Sequence, residues 1–344
     1  MTRPPQPSAW LLLEGGGSRT WAATATGDTV LAIAEGPSTN PRSVGEDHAV
    51  HTLVGLFDRL WDSPGTAPLG IVAAHGAAST GAAAGDFAAL VRRALARSGP
   101  PAAPVLVTND IAPLLLAAEG PVCVGTCGTG TGFAARNGER WARASGLEWL
   151  LSDEGGGHDL ATAGLRAAIR SLDGRGPATT LTGLARQWCS DASGIGDLGE
   201  ALFFHVYDTP DTKPLVASFA RHVLDAAEAG DGVAGRLVEN AAAELAGGVA
   251  AVCRATGISA HTAYTLMLSG SLLTESALLR GHFLTRVQEQ LPPIAVLRRT
   301  PRERPQELLS LRDLWLKPGD LSSLAAALPT HADPAPAASE GALP

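Results

Sequence analysis

Two glycine-rich turns carry the residue types best suited to chemistry in this chain. The first, Glu14-Gly15-Gly16-Gly17-Ser18-Arg19-Thr20, is entered from the apolar run Trp10 to Leu13. The second, Gly125-Thr126-Cys127-Gly128-Thr129-Gly130-Thr131-Gly132, is entered from Pro121 to Val124 and left through Phe133-Ala134-Ala135. Without a Cβ, glycine lets the backbone turn tightly and offer its N–H groups to an anion, and Ser or Thr hydroxyls add donors for phosphate oxygens. One such turn is an ordinary hairpin as readily as a phosphate loop in a chain with 40 glycines. Two of them, each opening a βαβ-like stretch, point to a duplicated nucleotide clamp, with the two-hairpin reading still open. Phosphoryl transfer in such a clamp asks for positioning, charge neutralisation and a base for the acceptor hydroxyl. The amides of Gly15 to Ser18 and of Gly128 to Thr131 would cradle the β- and γ-phosphates. Glu14, at the end of the first strand, would hold Mg²⁺ through water, because that ion keeps much of its hydration shell; its other reading is a solvated turn carboxylate. Asp110, at the C-terminal edge of a strand, is placed to accept a hydroxyl proton or, on the plainer reading, to cap the helix that follows.

The elements that must position these residues read as α/β. Strand, turn, strand is followed by a third strand from Val30 to Ala34 and a loop at Gly36-Pro37-Ser38-Thr39-Asn40-Pro41. Apolar residues at helical spacing (Val50, Leu53, Val54, Leu56, Phe57, Leu60) predict a helix from about Gly45 to Trp61. A buried strand, Leu69 to Ala74, ends in His75-Gly76; a helix follows from Asp86 to Arg97, then the strand Val105 to Thr108 running into Asn109-Asp110. Ile111 to Glu119 reads as helical despite Pro113. The order restarts at Val122, with an extended piece near Arg140 to Ala144, the loop Ser152 to Gly157 and a helix from Leu160 to Ser171. Residues 181–255 are mostly helical, the run Thr265 to Leu268 is a short strand ending in Ser269-Gly270-Ser271, and another helix reaches Leu291. The expected division is 1–117, 118–328 and a disordered tail over 329–344.

Composition narrows the class. A chain of 344 residues suggests two domains, and 45% hydrophobic against 17% charged residues fills their cores. The net charge of −8 gives no field for nucleic acid or anionic lipid. No run approaches the ~18 apolar residues needed to span a membrane, and the first residues lack the apolar core of a signal peptide. The cysteines at 123, 127, 189 and 253 form neither a disulfide framework nor a CxxC pair. A cytoplasmic protein is expected, with a homodimer as one assembly.

With the pieces in order, the chain resembles the N-acetylglucosamine kinases and BadF/BcrA-type ATPases of the actin-like ATPase and sugar kinase superfamily. Five motifs over about residues 10–290 carry the resemblance. Leu13 to Thr20 looks like the first phosphate loop, and Ser38-Thr39-Asn40-Pro41 with Gly45 like the sugar-contacting loop. Thr108-Asn109-Asp110 is similar to the segment bearing the catalytic aspartate, Gly128-Thr129-Gly130-Thr131 to the second phosphate loop, and Ser152-Asp153-Glu154-Gly155-Gly156 to the family's GDEGS. The resemblance implies two actin-like, ribonuclease H-like lobes of one design, each a mixed five-stranded sheet with helices, closing on a cleft between them. It implies ATP and Mg²⁺ as cofactors and a small sugar as partner substrate. Asn40, His75, Gly76, Asn109, Asp110 and Asp153 fall at the sugar side, and Gly270 with Ser271 at the adenosine turn.

The sequence also departs from the family. Gly-Gly-Trp-Gly before GDEGS is replaced by Ser145-Gly146-Leu147-Glu148-Trp149, and the late Gly-Ala turn is not evident after Leu297. His75 stands where the family has a small residue; it would read a different hydroxyl or amino group, or be a buried structural histidine. The implied activity is transfer of the γ-phosphate of ATP to the primary hydroxyl of a hexosamine. Its competitors are a BadF-type ATPase that activates a partner enzyme through an iron–sulfur cluster, and a non-catalytic sugar sensor. The Asn-Pro loop, the absence of a cysteine in a suitable late turn and the presence of Asp110 favour the kinase.

Overall fold

The computed structural model describes residues 9–16, 19–61, 66–193, 197–209, 212–300, 303–317 and 320–336. Two compact units result: one of Met1–Gly120, Arg136–Ala142 and Thr300–Pro344, the other of Pro121–Ala135 and Arg143–Arg299.

The first sheet contains β1 (Trp10–Gly15), β2 (Arg19–Thr26), β3 (Thr29–Pro37), β4 (Ile71–His75) and β5 (Val105–Thr108). The second is built on β6 (Val122–Cys127), β7 (Thr131–Asn137), β8 (Arg140–Ser145), β9 (Thr265–Ser269) and β10 (Ala295–Arg298), and a short β11 (Thr330–Ala332) joins the first. Their orders are β11-β5-β4-β1-β2-β3 and β10-β9-β6-β7-β8. In the first sheet β1 runs antiparallel to β2 and parallel to β4, and β4 parallel to β5. In the second, β9 lies parallel to both β6 and β10. Each glycine turn therefore leaves the carboxyl end of a strand that has a parallel neighbour on one side, where α/β sheets place their ligands.

Alternation along β1 sends Leu11 and Leu13 to one face, against the helices Glu46–Leu60 and Gly81–Ser98. The first of these helices buries Val50, Leu53, Leu56, Phe57 and Leu60, the spacing of a single helical face. The second starts on Thr80, whose hydroxyl accepts from the Ala83 amide, and stops at Gly99 in the left-handed region with φ 92°. In the second unit the long helix Gly232–Thr256 is capped by Asp231 and buries Val238, Ala242, Leu245 and Val249.

Three expectations change. The segment after Asp110 is a 3₁₀ turn, Ala112–Leu116, rather than a helix to Glu119: Pro113 sits at its start, and Gly120 at φ 70° followed by Pro121 turns the chain. Residues 300–328 do not cluster with the second unit. The helix Arg304–Leu316 buries Leu308, Leu309, Leu311 and Trp315 in the first unit, and Trp315 meets Trp10 edge to face at 6.0 Å between centroids. The expected disordered tail begins instead with β11, antiparallel to β5, held where Asp333 takes hydrogen bonds from Arg92 at 2.6 Å and from the Val105 amide at 3.0 Å. Residues 337–344 lie outside the described residues.

Candidate active site

In the first unit β1 delivers Gly15 beside His75, its partner across the parallel pair. A Cβ on Gly15 would fall on the His75 imidazole, so only glycine fits there. Gly16 closes the turn by donating its N–H to the Arg19 carbonyl at 3.1 Å, and the space on its open side holds no atom within 4 Å. Thr20 is buried and Arg19 exposed, and Gly17 and Ser18, both expected in this loop, lie outside the described residues.

Gly76 follows His75 and donates its N–H to the Gly15 carbonyl at 2.9 Å. A Cβ built on Gly76 would stand 3.5 Å from Asp110 Oδ2 and 3.5 Å from the Gly16 Cα. The half-buried Asp110 carboxylate thus reaches the first glycine turn with one glycine between them. Its neighbour Asn109 is a strut: Oδ1 accepts from the Ile111 amide at 3.1 Å and Nδ2 donates to the Ala78 carbonyl at 3.3 Å. Asn109 thereby supplies a side-chain cap to the turn that follows β5.

The loop at 38–41 is fastened to the same turn. Ser38 Oγ donates to the Gly16 carbonyl at 2.9 Å and accepts from the Asn40 amide at 3.1 Å. Asn40 Oδ1 caps the short helix Pro41–Val44 through the Arg42 amide. Thr39 shares hydrogen bonds with Thr20 at 2.8 Å and with His75 Nε2 at 3.0 Å. His75 itself has no exposed surface, stacks on Phe87 at 4.0 Å, and burial lowers its pKa to about 3. The expectation that His75 touches the sugar is corrected here: both ring nitrogens are engaged inside the unit, and the residue supports the loops from beneath.

Glu14 points to the opposite face of β1. Its Oε2 lies 3.5 Å from Arg304 Nε, with the carboxylate side chain only 14% exposed.

In the second unit the glycine turn is pinned by the helix that follows the GDEGS-like loop. Gly128 N donates to the Gly130 carbonyl at 3.0 Å, while the Gly157 and His158 amides donate to the carbonyls of Gly128 and Thr129 at 2.8 and 2.9 Å. Gly130 rests on the Asp153 carboxylate, where a Cβ would overlap it. Gly270, at φ 82°, packs so closely on the Cys127 peptide that a side chain has no room. The Gly128 Cβ position then lies 3.8 Å from the Gly270 Cα and 3.9 Å from the Ser271 amide nitrogen, so the turns at 128–131 and 269–271 meet. Thr131 Oγ1 is hydrogen-bonded to Ser145 Oγ at 3.0 Å, and that oxygen accepts from the Asp153 amide at 3.2 Å.

Among the described residues the non-glycine positions with positive φ are Ser145, Glu148 and Asp153, all on this one loop. Strained backbone persists where its surroundings over-determine it. Here Lys213 supplies the restraint: its Nζ is 2.5 Å from Glu148 Oε2 and 3.5 Å from Asp153 Oδ2. Burial raises the Asp153 carboxyl above its ordinary value, with Lys213 pulling in the other direction. The sequence reading missed Lys213, although it is one of only two lysines in the chain.

The profile of the BadF/BadG/BcrA/BcrD ATPase family matches residues 14–294. The chain belongs to that family. A curated relative, the N-acetylmuramic acid/N-acetylglucosamine kinase of Clostridium acetobutylicum, is 30% identical over 199 residues, which cover 56% of this chain and 62% of the relative. The match therefore spans less than two thirds of that enzyme. A candidate N-acetylglucosamine kinase of Chromobacterium violaceum superposes with a TM-score of 0.66 at 23% identity, covering 89% of this chain and all of the other. Its counterpart from Porphyromonas gingivalis gives 0.59 at 18% identity, over 88% and 97%. At those identities the likeness shows the fold alone, a mixed α/β architecture with two sheets. No helix among the described residues is long and apolar enough to cross a membrane.

Proposed function

We propose that this protein is an ATP-dependent sugar kinase that phosphorylates the primary hydroxyl of a hexosamine. One observation carries the reading: Asp110 Oδ2 and the Gly16 Cα each come within 3.5 Å of the Gly76 Cβ position, so base and phosphate turn share one point. The amino-sugar class follows the activity of the Clostridium acetobutylicum relative.

Each glycine turn serves as a phosphate loop of its own unit, its bend closed by the Gly16 N–H on the Arg19 carbonyl or the Gly128 N–H on the Gly130 carbonyl, and Gly270 with Ser271 serves the adenosine. In the first unit Asn40, set by Ser38, is the side chain for a sugar hydroxyl, and in the second unit Asp153, held by Lys213, is its counterpart. Asp110 accepts the proton of the acceptor hydroxyl as its oxygen attacks the γ-phosphorus; the bond to the β-phosphate oxygen breaks and ADP leaves. Asn109 keeps the base in place through its two bonds. Mg²⁺ brought in with ATP is the ion that phosphoryl transfer asks for. Glu14 would meet it through water, in competition with the Arg304 guanidinium beside it. Bound Mg²⁺ would neutralise phosphate charge. The four cysteines are all buried, which favours the kinase over a cluster-bearing activator.

The test is a coupled ADP-release assay with Mg-ATP across glucosamine, N-acetylglucosamine, glucose and aminocyclitols. Faster release with a hexosamine is expected. Release indifferent to every sugar would move the assignment to the activator or sensor.

A further inference from the structure

We infer that His75 is a positioning residue whose Nε2–H, acting through Thr39, locks the 38–41 loop onto the first phosphate turn. The inference rests on the kinase reading only for naming that loop the acceptor's.

The chemistry of the ring decides its direction. The Ala77 backbone N–H donates to His75 Nδ1 at 3.0 Å. A nitrogen that accepts carries a lone pair, so in the neutral ring the proton is on Nε2. Complete burial with Phe87 stacked on one face keeps the ring neutral. Nε2 then donates to Thr39 Oγ1 at 3.0 Å, which leaves the Thr39 hydroxyl to donate to Thr20 Oγ1 at 2.8 Å. The chain Ala77–His75–Thr39–Thr20 thus has one proton order throughout. It joins the strand before Gly76, the loop bearing Asn40 and the strand leaving the glycine turn. The ring also floors Gly15, whose missing Cβ leaves the space it fills. A small residue at 75 would leave both gaps open; here the histidine fills them and makes the acceptor loop and the phosphate turn one rigid piece.

Two near-isosteric substitutions separate the two nitrogens. In His75→Gln the side-chain amide reaches the place of Nε2, so the donor to Thr39 is kept and the Nδ1 acceptor is lost. In His75→Asn the carbonyl takes the place of Nδ1 and the donor to Thr39 is lost. Both lose the stack on Phe87, so both should lower the melting temperature alike. Hydrogen–deuterium exchange of residues 36–45 should stay near native in His75→Gln and quicken in His75→Asn and in Thr39→Val. On the sugar found active, the acceptor KM should rise roughly tenfold in His75→Asn and Thr39→Val, and by less than about threefold in His75→Gln, as loss of one hydrogen bond predicts. ATP KM should hold in all three.

Exchange of that segment equal in the Gln and Asn variants would overturn the inference. So would a nitrogen-15 spectrum showing His75 with its proton on Nδ1 or titrating between about pH 5 and 8. Those readouts need no turnover. If no sugar is phosphorylated by the native protein, the kinase reading fails on its own, and exchange and tautomer still decide the role of His75.

Discussion

Asp110→Asn separates catalysis from architecture. The substitution keeps the side chain's size and removes its ability to take a proton. The turn after β5 is capped by Asn109, whose Oδ1 holds the Ile111 amide at 3.1 Å, and Gly76 leaves ordinary van der Waals room beside the carboxylate. A half-buried polar swap of this kind costs about 1 kcal/mol or less, or a melting shift of about 2–4 °C in a unit of this size. The functional cost is of another order. A positioned general base is worth roughly 10²–10⁴ in rate, about 3–5 kcal/mol of barrier. Turnover of Mg-ATP with the best hexosamine, followed by coupled ADP release, should fall by that factor while ATP affinity by calorimetry stays within about twofold. Near-native sugar phosphorylation by Asp110→Asn would refute the mechanism, whatever became of the fold. A fall in turnover matched by a collapse of the melting temperature would equally refute the separation of roles.

The other predictions concern what holds the loops in place. Gly130→Ala drives a Cβ into the Asp153 carboxylate, which Lys213 and the positive φ of Asp153 keep from moving; overpacking of this kind costs about 1–3 kcal/mol, seen as a lower melting temperature. Asp231→Ala frees the Val233 and Ala234 amides and three bonds from Thr179 and Thr180; a loss of about 2 kcal/mol in denaturant unfolding is expected. At Asp333, burial favours the neutral acid, but the Arg92 and Val105 hydrogen bonds outweigh it and hold the carboxyl below its ordinary value. Its contribution is therefore complete above the ordinary carboxylate pKa of about 3.9 and fades as pH falls through the lowered one. Unfolding of the native protein and Asp333→Asn should differ at neutral pH and converge in acid; a gap that widens on acidification would contradict the pairing.

Local geometry explains which parts were legible in the sequence. The glycine turns could be read because each glycine answers a demand made within its own unit: Gly15 yields to His75, Gly130 to Asp153 and Gly270 to the Cys127 peptide. The strand ends could be read because a buried run of four to six residues with a glycine or Asn-Asp after it has few other uses. What the sequence hid is held by partners far along the chain. Nothing near Lys213 announces that it braces a loop some sixty residues earlier, and the three-residue β11 is held by the distant β5 and by Arg92 and Val105 through Asp333.

His75 shows how the two kinds of information combine. Its place at the end of a buried strand beside a glycine could be read, and so could its oddity, yet a contact with the sugar and a structural role remained equally open. The choice turned on which nitrogen accepts a backbone N–H, a fact set by the fold of Ala77 and invisible to spacing. Once that proton is placed, the direction of the bond to Thr39 follows without further assumption, and with it the connection between the 38–41 loop and the strand leaving the first glycine turn. A substrate contact would have left one nitrogen facing an approachable surface. The structure spends both of them inside, which is the signature of a residue that acts through its neighbours.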